Sequence, residues 1–195
     1  MNDLVIKNAE IIDGSGIKSF YADVGIKDGV FSEISRKVSK GKRVINASGL
    51  MMLPGWVDIH THYDGQATWD QHLTPSCWHG VTTVVFGNCG VGFAPIFKGG
   101  EKRLINIMEG VEDIPETVLS EGIDFSWETF PQYMDKLESM PRLIDIGTMI
   151  PHAALRYYVM GEKGADHTTL PNEDEINKMS YLVKDALNHG ALGFS

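Results

Sequence analysis

The sequence predicts an α/β fold, with a small antiparallel β region over residues 1–53 ahead of parallel strands alternating with helices over 54–195. Three observations carry this. The first fifty residues are short apolar runs joined by turn clusters. Among them, Asp28-Gly29 between Ala22–Lys27 and Val30–Ile34 is the strongest kind of short-range hairpin signal. From Pro54 onward, strand-like runs alternate with segments of helical period, which is the pattern of βα units. One of those runs, Val81–Phe86, is continuous and β-branched, as expected of a strand buried on both faces.

In chain order, Leu4-Val5-Ile6 and Ile11-Ile12 read as short strands flanking a polar step, and Asp13-Gly14-Ser15-Gly16 as a turn. Val44-Ile45 and Leu50–Leu53 read as two more strands. This region carries no chemical motif, and its expected role is structural. Pro54-Gly55 then breaks the chain. The first parallel strand is expected over Val57–His62. Alternation sends Val57, Ile59 and Thr61 toward a packed layer, and Asp58, His60 and His62 to the opposite face.

Leu73–Gly80 reads as a short helix with Thr74 as N-cap, Pro75 at the first helical position and Gly80 as the stop. The second strand, Val81–Phe86, ends in Gly87-Asn88-Cys89-Gly90. Glu101–Glu109 is weakly helical. Ser126–Thr129 opens a stronger helix with Phe130, Tyr133, Met134, Leu137 and Met140 on its core face. Leu143–Ile150 is the third strand and runs into Pro151-His152. A last helix starts at Asn172 with Glu175 as its capping-box partner. It buries Ile176, Met179, Leu182, Val183, Ala186 and Leu187, and stops at Gly190. Ala191–Ser195 begins a fourth strand, so the sequence is expected to continue past it.

Composition narrows the function classes. The chain of 195 residues is 43% hydrophobic and 22% charged, as in soluble globular proteins. A net charge of −9, with no stripe of Lys or Arg, argues against nucleic acid as a partner. No apolar run reaches the length of a membrane span, and Met1-Asn2-Asp3-Leu4-Val5 does not begin a signal peptide. Two cysteines, Cys77 and Cys89, do not make a disulfide framework, and a reducing cytoplasm is the expected setting.

Parallel α/β folds gather their active sites at the C-terminal ends of the strands. Those ends here carry His60 and His62, then Asn88 and Cys89, then His152, then Ser195. Imidazoles one strand repeat apart, joined by a thiolate, suit zinc. His60, His62 and Cys89 are therefore the candidate metal ligands, with His152, Asn88 and Asp64 as candidate lining residues. Asp64 and Asp70 are candidate acceptors behind the ligands, and Asp58 shares a face with His60. Cys77 and His79, within the short helix, are read as packing or surface residues.

The stretch Pro54-Gly55-Trp56-Val57-Asp58-Ile59-His60-Thr61-His62 resembles the amidohydrolase superfamily. Three further segments narrow the likeness to the N-acyl-D-amino-acid deacylases, or D-aminoacylases. They are Tyr63–Asp70, Trp78-His79-Gly80-Val81-Thr82-Thr83, and Gly87-Asn88-Cys89-Gly90-Val91-Gly92-Phe93-Ala94-Pro95. Met108–Pro115 and Gly190–Ser195 fit the same group. The resemblance implies a (β/α)₈ TIM-type barrel with a β-sandwich built from both chain ends. Residues 1–53 would be the N-terminal part of the sandwich, and 54–195 the first half of the barrel.

The resemblance further implies a zinc enzyme that hydrolyses the amide bond of N-acyl-D-amino acids to a carboxylate and a D-amino acid. His60, His62 and Cys89 are ligands by that likeness. Two more histidines and a catalytic aspartate come from strands beyond residue 195. A whole barrel takes about 250 residues, so the chain reads as a fragment, inactive alone and prone to self-association through its open sheet edge. Two other readings remain at this point. One is a cyclic-amide hydrolase similar to dihydropyrimidinases or dihydroorotases, whose bridging lysine on the fourth strand is not seen in Ala191–Ser195. The other is a non-catalytic fragment.

Overall fold

The structure is a computed structural model and describes residues 1–38, 40–166 and 168–195. The chain forms two compact units, Met1–Gly55 and Trp56–Ser195. Among the described residues, no helix is long and apolar enough to cross a membrane.

The first unit is a single sheet. β1 (Asn2–Ile11) lies in the middle, antiparallel to β2 (Phe20–Lys27), which pairs in turn with β3 (Val30–Ser35). The other edge of β1 takes β4 (Gly41–Asn46) along residues 2–7 and β5 (Met51–Met52) along residues 10–11. Both of these pairings are parallel, so the sheet is mixed rather than antiparallel as expected. The two strands expected at Leu4–Ile6 and Ile11-Ile12 are one strand. The polar step between them is a bulge, where the register shifts between Ile6 and Ala9 and Asn8 has φ 59°. The Asp28-Gly29 hairpin is formed, with φ of 51° and 78° at its two turn residues. That is the conformation whose twist suits a two-residue hairpin. Ala9, Ile11, Ala22, Val24 and Ala47 make a small core of their own.

The second unit holds a three-stranded parallel sheet in the order β6 (Trp56–Asp58), β7 (Val81–Phe86), β8 (Asp145–Thr148). A single parallel bridge joins Ile150 to Phe194, and Ala191–Ser195 is otherwise irregular. Helices α1 (Glu101–Glu112), α2 (Glu116–Gly122) and α3 (Phe130–Glu138) fall between β7 and β8. After β8 come α4 (His152–Met160) and α5 (Glu173–Asn188). The capping boxes of α3 (Thr129 with Gln132) and α5 (Asn172 with Glu175) are both formed.

Val84 and Phe86 of β7 are fully buried in the core that also holds Phe93, Leu104, Met108, Tyr133 and Leu155. Thr82 on the same face is exposed, and Val81, Thr83 and Val85 on the other face are half-buried, so neither face of β7 is covered along its whole length.

Several expectations change. β6 ends at Asp58, which leaves His60 and His62 in the following loop rather than on the strand. Thr61 is buried as expected, but Val57 and Ile59 are exposed. The turn before β7 is a 3-10 helix, Ser76–His79, whose cap position is Pro75 rather than Thr74; Gly80 does end it, at φ 81°. α2 and α4 carry no clear sequence signature. On α5 only Ala186 is fully buried; Ile176 and Leu187 stay exposed.

Candidate metal centre

β6 and β7 run side by side, and the chain leaving each is tied to the other. Beyond β6, the backbone N–H and the hydroxyl of Thr61 both donate to the Val85 carbonyl, at 2.9 and 2.8 Å. Beyond β7, Gly87 takes a left-handed φ of 81° and turns the chain so that Asn88 points back. The Asn88 side-chain amide donates to the carbonyls of Val85 (3.0 Å) and Thr61 (3.3 Å). Asn88 is buried and acts as a clip between the two segments.

Thr61 is flanked by His60 and His62, and Asn88 is followed by Cys89. The clip therefore fixes the backbone on which all three expected ligands stand. Cys89 has φ 54° and ψ 17°, a left-handed conformation that non-glycine residues adopt at a cost.

These three side chains come together. The donor atoms of His60, His62 and Cys89 lie within 4.8 Å of one another, and His60 Nε2 is 3.2 Å from Cys89 Sγ. His60 and Cys89 are exposed and His62 is half-buried, so the cluster opens to solvent. Burial pulls the His62 imidazole below its ordinary range, and the neighbouring His60 adds to this, while Glu112 opposes it. A neutral imidazole is the form that binds a metal. Two imidazoles and a thiol at mutual ligand distance make a donor set that zinc accepts. His62 Nδ1 is buried with no hydrogen-bond partner, as a nitrogen reserved for an ion would be. The residues present thus fit a zinc ion.

Asp64, two residues beyond His62, is buried, with Oδ2 unpartnered. Burial pushes its carboxyl up to about 8, against the pull of the backbone N–H groups of Asp64 and Gly87, and the Glu112 charge adds to the rise. The Asp64 carbonyl accepts the buried Tyr133 hydroxyl at 2.7 Å, which anchors this loop to α3. Arg142 holds the next turn, donating to the Ala67 carbonyl at 2.7 Å.

Other expected residues stand apart. Asp70 is not an acceptor behind a ligand; it accepts from Gln66 Nε2 and from the backbone N–H groups of His72 and Thr74 within its own loop. Asp58 accepts the backbone N–H of His60 at 3.2 Å and does not touch the ring. His152 begins α4, and its backbone N–H donates to the Ser195 carbonyl. It is outside the donor cluster, although its Cβ lies 3.5 Å from where a side chain on Gly90 would start. Cys77 is half-buried and His79 exposed.

Glu112 was not legible as a site residue. It ends α1 with Oε1 3.2 Å from His62 Nε2. The available signal was the spacing Leu104, Met108, Glu112, a buried stripe at i, i+4 and i+8 whose last position carries a carboxylate.

Residues 43–195 match the model of an amidohydrolase family. A D-aminoacylase of Alcaligenes xylosoxydans xylosoxydans is 31% identical over 194 residues, covering 99% of this chain and 37% of its own length. A solved D-aminoacylase structure, described in terms of a binuclear metal center with one-metal activation, superposes with a TM-score of 0.82 at 31% identity. It covers all of this chain and 38% of that one. The crystal structure of an N-acyl-D-glutamate deacylase from Bordetella bronchiseptica, complexed with zinc and a phosphonate inhibitor, gives 0.75 at 28% identity, with 99% and 38% covered. A D-hydantoinase of Ralstonia pickettii matches over only 62 residues, at 40% identity and 32% of this chain. The chain thus spans little more than a third of the deacylases it matches along its whole length.

Proposed function

This chain belongs to the amidohydrolase family, and we propose that its His60–His62–Cys89 centre holds zinc for hydrolysis of the amide bond of N-acyl-D-amino acids, giving a carboxylate and a D-amino acid. The observation that carries the reading is the convergence of two imidazoles and a thiol beyond the ends of neighbouring parallel strands, in a chain matched along 99% or more of its own length by a D-aminoacylase and an N-acyl-D-glutamate deacylase. A zinc ion there supplies Lewis acidity for the amide carbonyl and for the attacking water.

The protein's own residues do the rest of what this region contributes. His60, His62 and Cys89 hold the ion, and Asn88 and Thr61 keep the two ligand-bearing segments in register. The open face of His60 and Cys89 admits a small-molecule substrate. The (β/α)₈ architecture, the division into 1–53 and 54–195, and the placing of the acid–base aspartate in later strands belong to the same proposal. So does a reducing, cytoplasmic setting.

The test compares Cys89→Ala with Cys77→Ala. After dialysis against buffer, zinc is expected to remain in wild type and in Cys77→Ala and to be lost from Cys89→Ala. Equal zinc in both variants would remove Cys89 from the centre.

A further inference from the structure

The turn that carries Cys89 is held from a second side. Gly87, Cys89 and Gly90 all have left-handed φ, at 81°, 54° and 72°. Glycine takes that conformation readily, but at Cys89 it lasts only where the surroundings enforce it. The Asn88 side chain reaches the segment beyond β6. The Ser195 side chain takes the two ends of the turn itself: its hydroxyl donates to the Gly87 carbonyl and accepts the Gly90 backbone N–H, the latter at 3.2 Å. One hydroxyl can do both, since it has one proton and two lone pairs. Ser195 is in turn fixed to the chain leaving β8. Its N–H donates to the Ile150 carbonyl at 3.2 Å, and its carbonyl accepts the His152 N–H at 2.8 Å. Cys89 lies between the two clamped glycines, with Sγ 3.2 Å from His60 Nε2.

We propose that Ser195 is a positioning residue for the metal centre: its hydroxyl, bridging Gly87 and Gly90, holds the Cys89 backbone left-handed and so places Sγ beside His60 and His62. The inference rests on the metal reading above. The ligand turn is then fastened to the exit of β6 by Asn88 and to the exit of β8 by Ser195. A ligand whose backbone is already set loses less conformational freedom when the ion binds, and that difference appears as affinity.

The experiment uses the full chain as wild type, Ser195→Ala, Ser195→Thr and Cys89→Ala. In the metal-free protein, hydrogen exchange at the Gly90 amide is expected to be about 10-fold faster in Ser195→Ala, with the amides of β7 unchanged. In zinc titrations against a competing chelator, Ser195→Ala is expected to bind about 10-fold more weakly. Ser195→Thr keeps the hydroxyl and stays close to wild type in both measurements. Exchange accelerated equally at Gly90 and along β7 overturns the proposal, because that is loss of the fold rather than of the turn. A loss in Ser195→Thr equal to that in Ser195→Ala overturns the hydroxyl as the cause. Wild-type affinity in both Ser195 variants while Cys89→Ala has lost its zinc overturns the role of Ser195 and leaves the metal centre standing. Wild-type affinity in all three variants overturns the centre and this proposal together.

Discussion

The side chain of Asn88 donates to the carbonyl of Thr61 at 3.3 Å. This bond links the residue between the two histidines to the residue before the cysteine. Asn88→Ala removes it together with the 3.0 Å bond to Val85. A buried amide lost in this way costs about 1–3 kcal/mol. The expected result is a lower denaturant midpoint at unchanged slope and weaker zinc binding, since the ligand segments are no longer held together. Weakened zinc binding with unchanged stability would show that Asn88 touches the ion instead of the backbone.

Gly87→Ala should be more damaging. The residue has φ 81°, and an added Cβ would overlap the backbone carbonyl of Met149. The left-handed conformation alone costs an L-residue about 1–2 kcal/mol, and the overlap with backbone cannot be relieved by a rotamer change. Thermal unfolding should shift down further than in Gly29→Ala, where the φ is similar at 78° and nothing lies within 4 Å. Equal shifts would mean that the strand end yields easily.

Asp70 gives a pH test. Burial pushes its carboxyl up, but the Gln66 amide and the backbone N–H groups of His72, Thr74 and Leu73 outweigh this and hold it below 3.8. A depressed carboxyl stabilises the fold above its unfolded value and loses that contribution as pH falls through the folded one. Asp70→Asn is therefore expected to be less stable than wild type at pH 7, with the gap closing below about pH 4. Denaturant midpoints at pH 7 and pH 3 decide it; a constant gap would show that Asp70 does not titrate over this range.

Residues 1–195 assayed alone with zinc against N-acetyl-D-amino acids are expected to show no appreciable turnover. The resemblance assigns the acid–base aspartate and two further histidine ligands to later strands. General acid–base assistance is worth about 10²–10⁴-fold. Full turnover by these residues would place the acid–base group among them and reassign half of the centre.

What the sequence revealed was local. Val81–Phe86 is a strand with the expected ends because its β-branched run is bounded by Gly80 and Gly87. The capping box of α5 was readable because Asn172 and Glu175 lie three residues apart, whereas that of α3, Thr129 with Gln132, was not picked out. The convergence of His60, His62 and Cys89 followed from strand ends alone, even though β6 stops at Asp58 and the histidines sit in a loop. What was missed depends on distant partners. α4 buries Ala154, Leu155, Arg156 and Tyr157 in succession, so it shows no one-sided period. The parallel pairing of β1 with β4 and β5 leaves no mark in either strand's own pattern. Glu112 lies 3.2 Å from His62 across fifty residues of chain, and an acidic residue ending a helix looks like any solvated surface group.

The mixed sheet of the first unit also sets an order of assembly. β1 gains β2 on one edge once residue 27 exists, whereas its other edge waits for Gly41–Asn46 and finally for Met51–Met52. At a synthesis rate of about 5–20 residues per second, that interval lasts roughly 1–5 s. Over those seconds the nascent strand offers one unpaired edge, and an unpaired edge is a template for any other free strand. The danger to this sheet is greatest on the ribosome, before its parallel partners emerge.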